Sequence, residues 1–303
     1  MRHQLLLRYV DVIARVGSIR KAAESLAITS TALNRRILAL EEDLGVPIFE
    51  RLPGGVRLSA AGEVLIQHVR SQLADMERVK SQIADLRGER RGHVSIAASQ
   101  ALMPFFLPEQ IAHYRRAHQA VTFSVLRRDR SAAEQAITDM SADLALVFEP
   151  ERLIDLQVLH QVRQPVHVMM RFGHPLSAQA VVRLRDCLRY PLALPNDHTG
   201  IRFLLERAIQ YSSLTLRPVV EADSFEFLRC HALEENIVAF QFPIGLPVSS
   251  NDDTLVTRPI DSRDVPHGNL YLGQLRGRTL PVAVARFGQQ LIETLVSRYD
   301  VDN

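Results

Sequence analysis

The stretch SIRKAAESLAITSTALNRRILALEEDL, residues 18–44, decides the fold of the first part of the chain. The Ser18 hydroxyl can accept from free backbone amides two or three residues on, which predicts a helix beginning at Ile19. After the tight connection Ala27–Thr29, Thr29 can cap a second helix in the same way. Apolar residues recur on one face of both helices, as packed helices require. They are Ala22, Ala23 and Leu26 in the first helix and Leu33, Ile37, Leu40 and Leu44 in the second.

Another helix precedes this pair. Apolar residues recur at helical spacing from Leu6 to Val16, Gly17 ends that run, and Gly45 supplies the stop after the last helix. Two short helices with small residues where they cross and a three-residue turn are the signature of a helix-turn-helix. We therefore predict an all-α helix-turn-helix at the front of the chain.

A hairpin and a long helix are predicted next. The segments Ile48–Arg51 and Val56–Leu58 flank Pro53-Gly54-Gly55, which indicates a short hairpin or wing. Ser59 is placed to cap a helix that runs without proline from residue 60 to about 87. Its apolar residues follow a three-four repeat of the coiled-coil kind, which predicts a linker and dimerisation arm. The residues assigned to dimerisation are Ile66, Val69, Leu73 and Met76.

From Gly92 onward the pattern changes to alternating strands and helices, which predicts an α/β fold with mostly parallel sheets and right-handed crossovers. The predicted strands are His93–Ala98, Val121–Leu126, Asp143–Phe148, Val166–Met170, Leu192–Leu194, Leu216–Glu221, Ile237–Phe240 and Leu270–Leu275.

Charge is divided unevenly along the 303 residues, although the net charge is only +2. Residues 1–92 carry 15 lysines and arginines against 11 acids, and residues 93–303 carry 21 against 23. This split suggests a nucleic-acid-binding module followed by a part that need not touch an anionic polymer. Lys21 and Lys80 are the only lysines, and neither follows glycine, so a Walker A phosphate loop is excluded.

Composition narrows the class of protein further. The chain is 47% hydrophobic and 23% charged, the mixture of a soluble globular protein. No apolar run approaches the ~18 residues of a membrane span, and no signal region opens the chain, so a cytoplasmic protein is expected. Cys187 and Cys230 are the only cysteines, which excludes a disulfide framework.

Residues 18–44 resemble the winged helix-turn-helix of LysR-type transcriptional regulators. The match continues through Gly45, Phe49-Glu50-Arg51, Val56-Arg57-Leu58-Ser59, Ala61-Gly62 and the long helix, and the back two thirds resembles the family's effector-binding region in element order and length. The resemblance implies a homodimer or homotetramer on double-stranded promoter DNA, whose contacts change when a small molecule binds. It also implies contact with RNA polymerase.

The same resemblance gives the domain boundaries. It implies a DNA-binding winged helix-turn-helix over 1–58, a linker helix over 59–89 and an effector domain over 90–303. That domain is expected to be two-lobed and similar to a periplasmic binding protein. Lobe I is placed at about 90–164 and 267–303, and lobe II at about 165–266. No cofactor and no metal are expected.

DNA contacts are predicted on three elements. On the third helix the polar side carries residues able to read base edges in the major groove, Ser30, Thr31, Asn34 and Arg35. Ser18, Arg20, Arg51 and Arg57 are assigned to DNA as well, with the three arginines suited to phosphates. The family usually has Gln-Pro at the Ser30-Thr31 position, often has serine at that of Asn34, and commonly has arginine at that of Gly54. The family's operator therefore does not carry over.

Effector-binding residues are predicted at the carboxyl ends of strands, where α/β sheets bind ligands. They offer hydroxyls, amides, one guanidinium and two aromatic walls, which suits a small polar or anionic metabolite. The set is Ser99, Gln100, Arg128, Phe148, Asn196, His198, Thr199 and Phe242. Each has an alternative reading as an ordinary helix cap or core residue.

Two other classes of protein fit the sequence less well. The sequence has no GxSxG, HExxH, GxGxxG or CxxC motif, which argues against an enzyme. A periplasmic-type solute-binding module would share the two-lobed α/β architecture, but the helix-turn-helix has no place in it. The acidic run Glu41-Glu42-Asp43 at the end of the third helix stays unexplained at this stage, because the helix dipole disfavours anions there.

Overall fold

The computed structural model describes residues 2–86, 91–247 and 254–299. The chain divides into two compact units, residues 1–83 and residues 84–303. Each unit has its own apolar core.

The first unit is helical with one hairpin. Its elements are α1 (Arg2–Val16), α2 (Ile19–Ser25), α3 (Ser30–Leu44), β1 (Phe49–Leu52), β2 (Gly55–Leu58) and α4 (Ala60–Leu86), the last of which continues past the unit's end. The predicted caps are confirmed: the Ser18 hydroxyl accepts from the Lys21 amide and the Thr29 hydroxyl from the Ala32 amide. Strands β1 and β2 pair antiparallel and form the predicted wing.

One buried core joins all of these elements. Its members come from the three short helices, from the hairpin and from the first part of α4. They are Leu7, Tyr9, Val10, Ile13, Ala22, Ala23, Leu33, Ile37, Ile48, Phe49, Ile66 and Val69.

Two glycines set the contact between the wing and the helix-turn-helix. Gly17 has φ +67 and its carbonyl accepts from the Val56 amide at 2.8 Å. A Cβ on Gly55 would lie 2.2 Å from that same carbonyl oxygen, closer than any real contact. The backbone of the wing therefore lies directly on the turn before α2, which only glycine permits at this point.

The second unit is α/β, as predicted. Its strands are β3 (Gly92–Ala98), β4 (Val121–Arg127), β5 (Leu144–Phe148), β6 (Leu156–Gln164), β7 (His167–Arg171), β8 (Leu192–Pro195), β9 (Pro218–Ala222), β10 (Val238–Gln241), β11 (Leu255–Pro259) and β12 (Gly268–Leu275). Its helices are α5 (Phe106–Ala117), α6 (Arg130–Thr138), α7 (Leu184–Cys187), α8 (Gly200–Ile209), α9 (Phe225–Glu234) and α10 (Val282–Tyr299), with 3₁₀ turns at Gln100–Leu102, Pro175–Ala178 and Pro243–Gly245.

The strands form two five-stranded sheets. The first sheet has the order β4-β3-β5-β12-β6, and the second has the order β11-β7-β10-β8-β9. The prediction of mostly parallel sheets is wrong, because β12 pairs antiparallel with β5 and β6, and β7 pairs antiparallel with β10 and β11. Strands β6 and β11 were not predicted. Both lie at sheet edges, where few side chains are fully buried and the apolar pattern is weak.

None of the helices in the described ranges is long and apolar enough to cross a membrane.

Candidate nucleic-acid interface and effector cleft

Helix α3 presents the side chains predicted to read bases. Ser30, Thr31 and Arg35 are exposed and Asn34 is half-buried, while Leu33 and Ile37 on the opposite face are fully buried in the core. The Thr29 cap fixes where the helix begins. The first two turns of α3 therefore lie at the surface on a helix that its own core holds in place.

The three arginines assigned to phosphates have intramolecular partners. Arg57 pairs with Glu50 across the hairpin at 2.7 Å, and Arg20 lies 4.0 Å from Glu24 on exposed α2. Arg51 donates from Nη2 to the Asn34 Oδ1 atom at 3.2 Å, which joins the wing to α3. These contacts are exposed, and exposed pairs contribute little to stability, so the arginines can exchange them for phosphate oxygens.

Glu41, the first member of the acidic run at the end of α3, has a structural role. The Glu41 carboxylate accepts from the backbone amides of Ile48 at 2.7 Å and Phe49 at 3.0 Å. These amides open strand β1, so Glu41 positions the wing relative to α3. Sequence reasoning missed it because the two partners lie seven and eight residues away in an irregular connection.

Tyr9 and Arg36 were also missed. The buried Tyr9 accepts at its hydroxyl from Arg36 Nη1 at 2.5 Å, and the guanidinium lies 5.2 Å from the ring centroid. Arg36 directly follows Arg35 on α3, so this contact holds one of two adjacent cations against α1.

Two of the residues assigned to dimerisation are buried within their own chain. Ile66 and Val69 are 1% and 0% exposed and belong to the core of the first unit, so they are not available to a partner. That part of the prediction is wrong. Leu73 is half-buried and packs against the same core, and Met76 is half-buried. A three-four repeat alone does not distinguish a face packed on its own domain from a face packed on a second chain.

Ion pairs hold α4 against α1. The Asp11 carboxylate accepts from Arg70 at 3.0 Å and from Arg15 at 2.9 Å, and the Arg70 and Asp11 side chains are only 11% and 13% exposed. The first half of α4 is therefore part of the DNA-binding unit.

In the second unit, Ser99 and Gln100 follow the carboxyl end of strand β3 in the first sheet. Ser99 is buried, and its hydroxyl accepts from the Phe148 amide at 3.1 Å. Gln100 reaches the loop before α9: its Nε2 donates to the Asp223 carbonyl at 2.5 Å, and its Oε1 accepts from the Phe225 amide at 2.9 Å. Ser99 and Gln100 thus lie where the two sheets approach each other.

The two predicted aromatic walls touch. Phe148 and Phe242 stack with ring centroids 3.8 Å apart and planes inclined by 11°, and both are fully buried. Glycines lie close to both residues: a Cβ on Gly200 would meet the Phe148 Cβ at 2.7 Å, and one on Gly268 would meet the Phe242 ring at 2.5 Å. Both rings therefore belong to the apolar core of the second unit.

The remaining candidates lie on the loops that follow β4 and β8. Thr199 is the cap of α8, since its hydroxyl accepts from the Arg202 amide and donates to the Asn196 carbonyl. His198 is exposed and lies 2.6 Å from Asp197. Arg128 is exposed and donates to the Arg127 carbonyl. The structure therefore brings together Ser99, Gln100, Phe148 and Phe242, and leaves Arg128 and His198 at the surface.

Two charged residues beside Ser99 and Gln100 were not predicted. Arg127 donates to the Asp223 carbonyl at 2.9 Å, beside the Gln100 contact. Burial raises the pKa of the Asp129 carboxyl above its usual range, against the lowering effects of the Ser99 hydroxyl, the Gln100 amide and Arg127. Both residues could have been found, because they follow directly from the end of a predicted strand.

The groups near these strand ends can form hydrogen bonds and aromatic contacts with a bound molecule. They are hydroxyl, amide and guanidinium donors, a carboxylate and a pair of stacked rings. Within the described ranges no group of three or more His, Cys, Asp or Glu side chains could hold a metal ion. The Cys187 thiol is a poor nucleophile, since burial raises its pKa to about 12.

Comparison with protein families assigns both units. Residues 5–63 match the bacterial regulatory helix-turn-helix of the lysR family, and residues 87–296 match the LysR substrate-binding domain. The chain belongs to the LysR family of bacterial regulatory helix-turn-helix proteins, as the sequence motifs predicted. It is a DNA-binding transcription regulator with an effector-binding domain.

Individual relatives agree with this assignment. The chain is 28% identical over 288 residues to the transcriptional regulator CbbR of Xanthobacter flavus, covering 88% of this chain and 85% of that one. It is 25% identical over 288 residues to the RuBisCO operon transcriptional regulator of Allochromatium vinosum, covering 93% and 92%.

Solved structures share the fold. A full-length OxyR variant from Pseudomonas aeruginosa superposes with a TM-score of 0.72 at 19% identity over 95% of this chain and 94% of that one. Full-length CbnR in complex with its target DNA gives a TM-score of 0.62 at 16% identity over 96% and 99%. The effector-binding domain of QuiR in complex with shikimate gives 0.57 at 16% identity over 69% and 99%.

Proposed function

We propose that the protein reads a promoter site with the first turns of α3, grips phosphates with the wing and α2, and responds to a small polar or anionic metabolite bound between the two sheets. The domains in this proposal are 1–58 for DNA binding, 59–89 for the linker and 90–303 for the effector. The observation that carries it is the surface of α3, where Ser30, Thr31 and Arg35 stand exposed on a helix anchored by buried Leu33 and Ile37. The working compartment is the cytoplasm, where promoter DNA and RNA polymerase are present.

The DNA-binding proposal predicts a steep dependence on salt. Arg20, Arg51 and Arg57 each release counterions on meeting a phosphate, so log K should fall linearly with log of the salt concentration, by about 0.9 per phosphate neutralised. Fluorescence anisotropy with DNA from the gene's own upstream region gives the slope. Arg57→Ala should reduce the slope by about one and weaken cognate and random DNA alike.

A matched control is Arg263→Ala, an exposed arginine paired with Asp261 in the effector unit. It should leave the slope unchanged. Failure to bind upstream DNA above random DNA, with or without candidate metabolites, would overturn the proposal.

Dimerisation is proposed on the second half of α4. Met76, Val79, Ile83 and Leu86 follow the three-four spacing, and Val79, Ile83 and Leu86 are 37%, 47% and 89% exposed. Exposed apolar residues in one stripe of a helix indicate an interface, because burying each would contribute about 1.5–3 kcal/mol. This stripe replaces the Ile66 and Val69 part of the seam.

Replacing Val79 and Ile83 together by aspartate is therefore expected to halve the mass of the full-length protein in sedimentation. The control is Gln67→Asp, which adds a charge to an exposed position on another face of α4. A wild-type mass for the double variant would show that the subunits meet elsewhere.

The effector is proposed to bind against Ser99, Gln100 and Thr199, with Asn196, His198, Arg128 and the Phe148–Phe242 pair around them. Calorimetric titration with small mono- and dicarboxylates tests this. Ser99→Ala should weaken a bound carboxylate about 10- to 100-fold, the effect of one lost hydrogen bond to a charged group. The control is Ser262→Ala, which removes an exposed hydroxyl that does not belong to the proposed site. A ligand bound equally by wild type, Ser99→Ala and Thr199→Val would contradict the site.

A further inference from the structure

A hydrogen bond between Asn34 and Arg51 joins helix α3, which we propose contacts bases, to the wing, which we propose contacts phosphates. Asn34 lies in the second turn of α3 and Arg51 lies on β1, and the two are joined by the Nη2 to Oδ1 hydrogen bond of 3.2 Å. The contact spans 17 residues of sequence and is exposed to solvent. It therefore lies at the solvent-exposed surface of the first unit.

The contact fixes the orientation of the Asn34 amide. A guanidinium can only donate hydrogen bonds, so the amide atom facing Arg51 must be the oxygen. The other end of the amide is the Nδ2 amino group, which carries two donors and no acceptor. The Arg51 bond takes one of the two lone pairs of Oδ1 and turns that oxygen toward the wing, so the nitrogen is the end of the amide that faces away from the wing.

Base edges in the major groove differ in what they require from this amide. Adenine is read bidentately when an amide oxygen accepts from N6 and the nitrogen donates to N7, which needs both ends of the amide. Guanine presents two neighbouring acceptors, O6 and N7, which suit a group that only donates.

We propose that Arg51 is a positioning residue that commits Asn34 to donating, so that Asn34 selects guanine over adenine at one position of each half-site. This inference rests on the proposed contact of Asn34 with a base. Arg51 has five N–H donors, and one of them on Asn34 leaves others for a phosphate. Arg51 thereby links binding of the DNA phosphate backbone to the choice of base.

Arg57 supplies the matched control. It lies on the neighbouring strand of the same hairpin, carries the same charge and is engaged by Glu50 at 2.7 Å rather than by α3. Its removal takes one cation from the wing and leaves the Asn34–Arg51 contact in place.

The experiment measures affinity on a half-site panel in which each position is varied through the four bases. It uses full-length wild type, Arg51→Ala, Arg51→Lys, Asn34→Ala, Arg57→Ala and the doubles Asn34→Ala/Arg51→Ala and Asn34→Ala/Arg57→Ala. Wild type should prefer guanine to adenine at one position by roughly tenfold, within the range of a good base contact. Arg51→Ala should lose most of that preference, with adenine gaining relative to guanine, and Arg57→Ala should lower affinity for all four bases by the same factor.

Coupling gives a second readout. Once Asn34 is alanine, Arg51→Ala should no longer alter the ratio between guanine and adenine, whereas the effects of Asn34→Ala and Arg57→Ala should multiply. Arg51→Lys, which keeps a donor, should retain part of the guanine preference.

Three results would overturn the inference: an adenine preference at the Asn34 position in wild type, the same base ratios in wild type and Arg51→Ala, or equal changes of ratio in Arg51→Ala and Arg57→Ala. Absence of any DNA binding by wild type would instead defeat the proposed DNA contact itself. Should Arg51→Ala fold poorly, as circular dichroism would show, the ratios of Arg51→Lys and of the Asn34→Ala pair decide the question.

Discussion

Gly62→Ala is expected to destabilise the DNA-binding unit by about 3 kcal/mol or more and to weaken operator binding. Gly62 lies buried in the first turn of α4, and an added Cβ would lie 2.2 Å from the Ile48 carbonyl oxygen and 3.0 Å from a Leu58 methyl carbon. That oxygen already accepts from the Ser59 amide at 2.8 Å. The alanine therefore forces apart the start of the linker helix and the base of the wing.

The direction of this effect is informative, because helix propensity alone predicts the opposite. Alanine within a helix is favoured over glycine by about 0.5–1 kcal/mol. Urea unfolding followed by circular dichroism measures the change, since the chain contains no tryptophan. Gly54→Ala is the control: Gly54 is at the exposed tip of the wing with nothing within 4 Å of its added Cβ, and it should change stability by less than about 1 kcal/mol. Equal stability of Gly62→Ala and wild type would mean that the linker helix moves freely against the wing.

Asp143→Ala should cost the effector domain about 3–5 kcal/mol. One Asp143 oxygen accepts from the amide and hydroxyl of Ser95 at 2.9 and 2.6 Å, and the other accepts from Arg278 at 2.6 Å. Both members of the ion pair are 12% exposed, so the variant leaves a guanidinium buried without its counter-ion. This is the situation in which a broken ion pair is most destabilising.

The exposed pair Arg298–Glu109 provides the comparison. Its side chains are 37% and 45% exposed, and Glu109→Ala should cost no more than about 1 kcal/mol. Thermal unfolding of the two variants beside wild type separates the cases. A loss below 1 kcal/mol for Asp143→Ala would indicate that water reaches Arg278 when the carboxylate is absent.

Local signals were sufficient for the first unit. The hydroxyls of Ser18 and Thr29 meet amides three residues on, and such short-range geometry can be read directly from the residue order. The wing was likewise predicted by its Pro-Gly-Gly tip. The role of Glu41 was not, because its partners Ile48 and Phe49 lie beyond a loop whose path no periodicity describes.

Predictions that depend on contacts between residues far apart in the sequence were less accurate. The stripe through Ile66 and Val69 has the same spacing whether it meets its own domain or a second chain, and here it meets its own domain. Phe148 and Phe242 were both predicted at strand ends, but their stacking depends on how two sheets come together. Edge strand β6 escaped prediction because only three of its nine residues are buried.

The position of β12 affects the order in which the protein can be completed during synthesis. Strand β12 inserts between β5 and β6, with Leu270 opposite Phe148, so the first sheet needs a strand that is translated about 120 residues after β5. At ~5–20 residues per second that interval is roughly 6–24 s. The DNA-binding unit is synthesised long before β12. Until β12 is made, the free edge of β5 has unpaired backbone amides that can pair with a strand of another chain. A chain that terminates before β12 would therefore retain its helix-turn-helix and carry an open, aggregation-prone sheet.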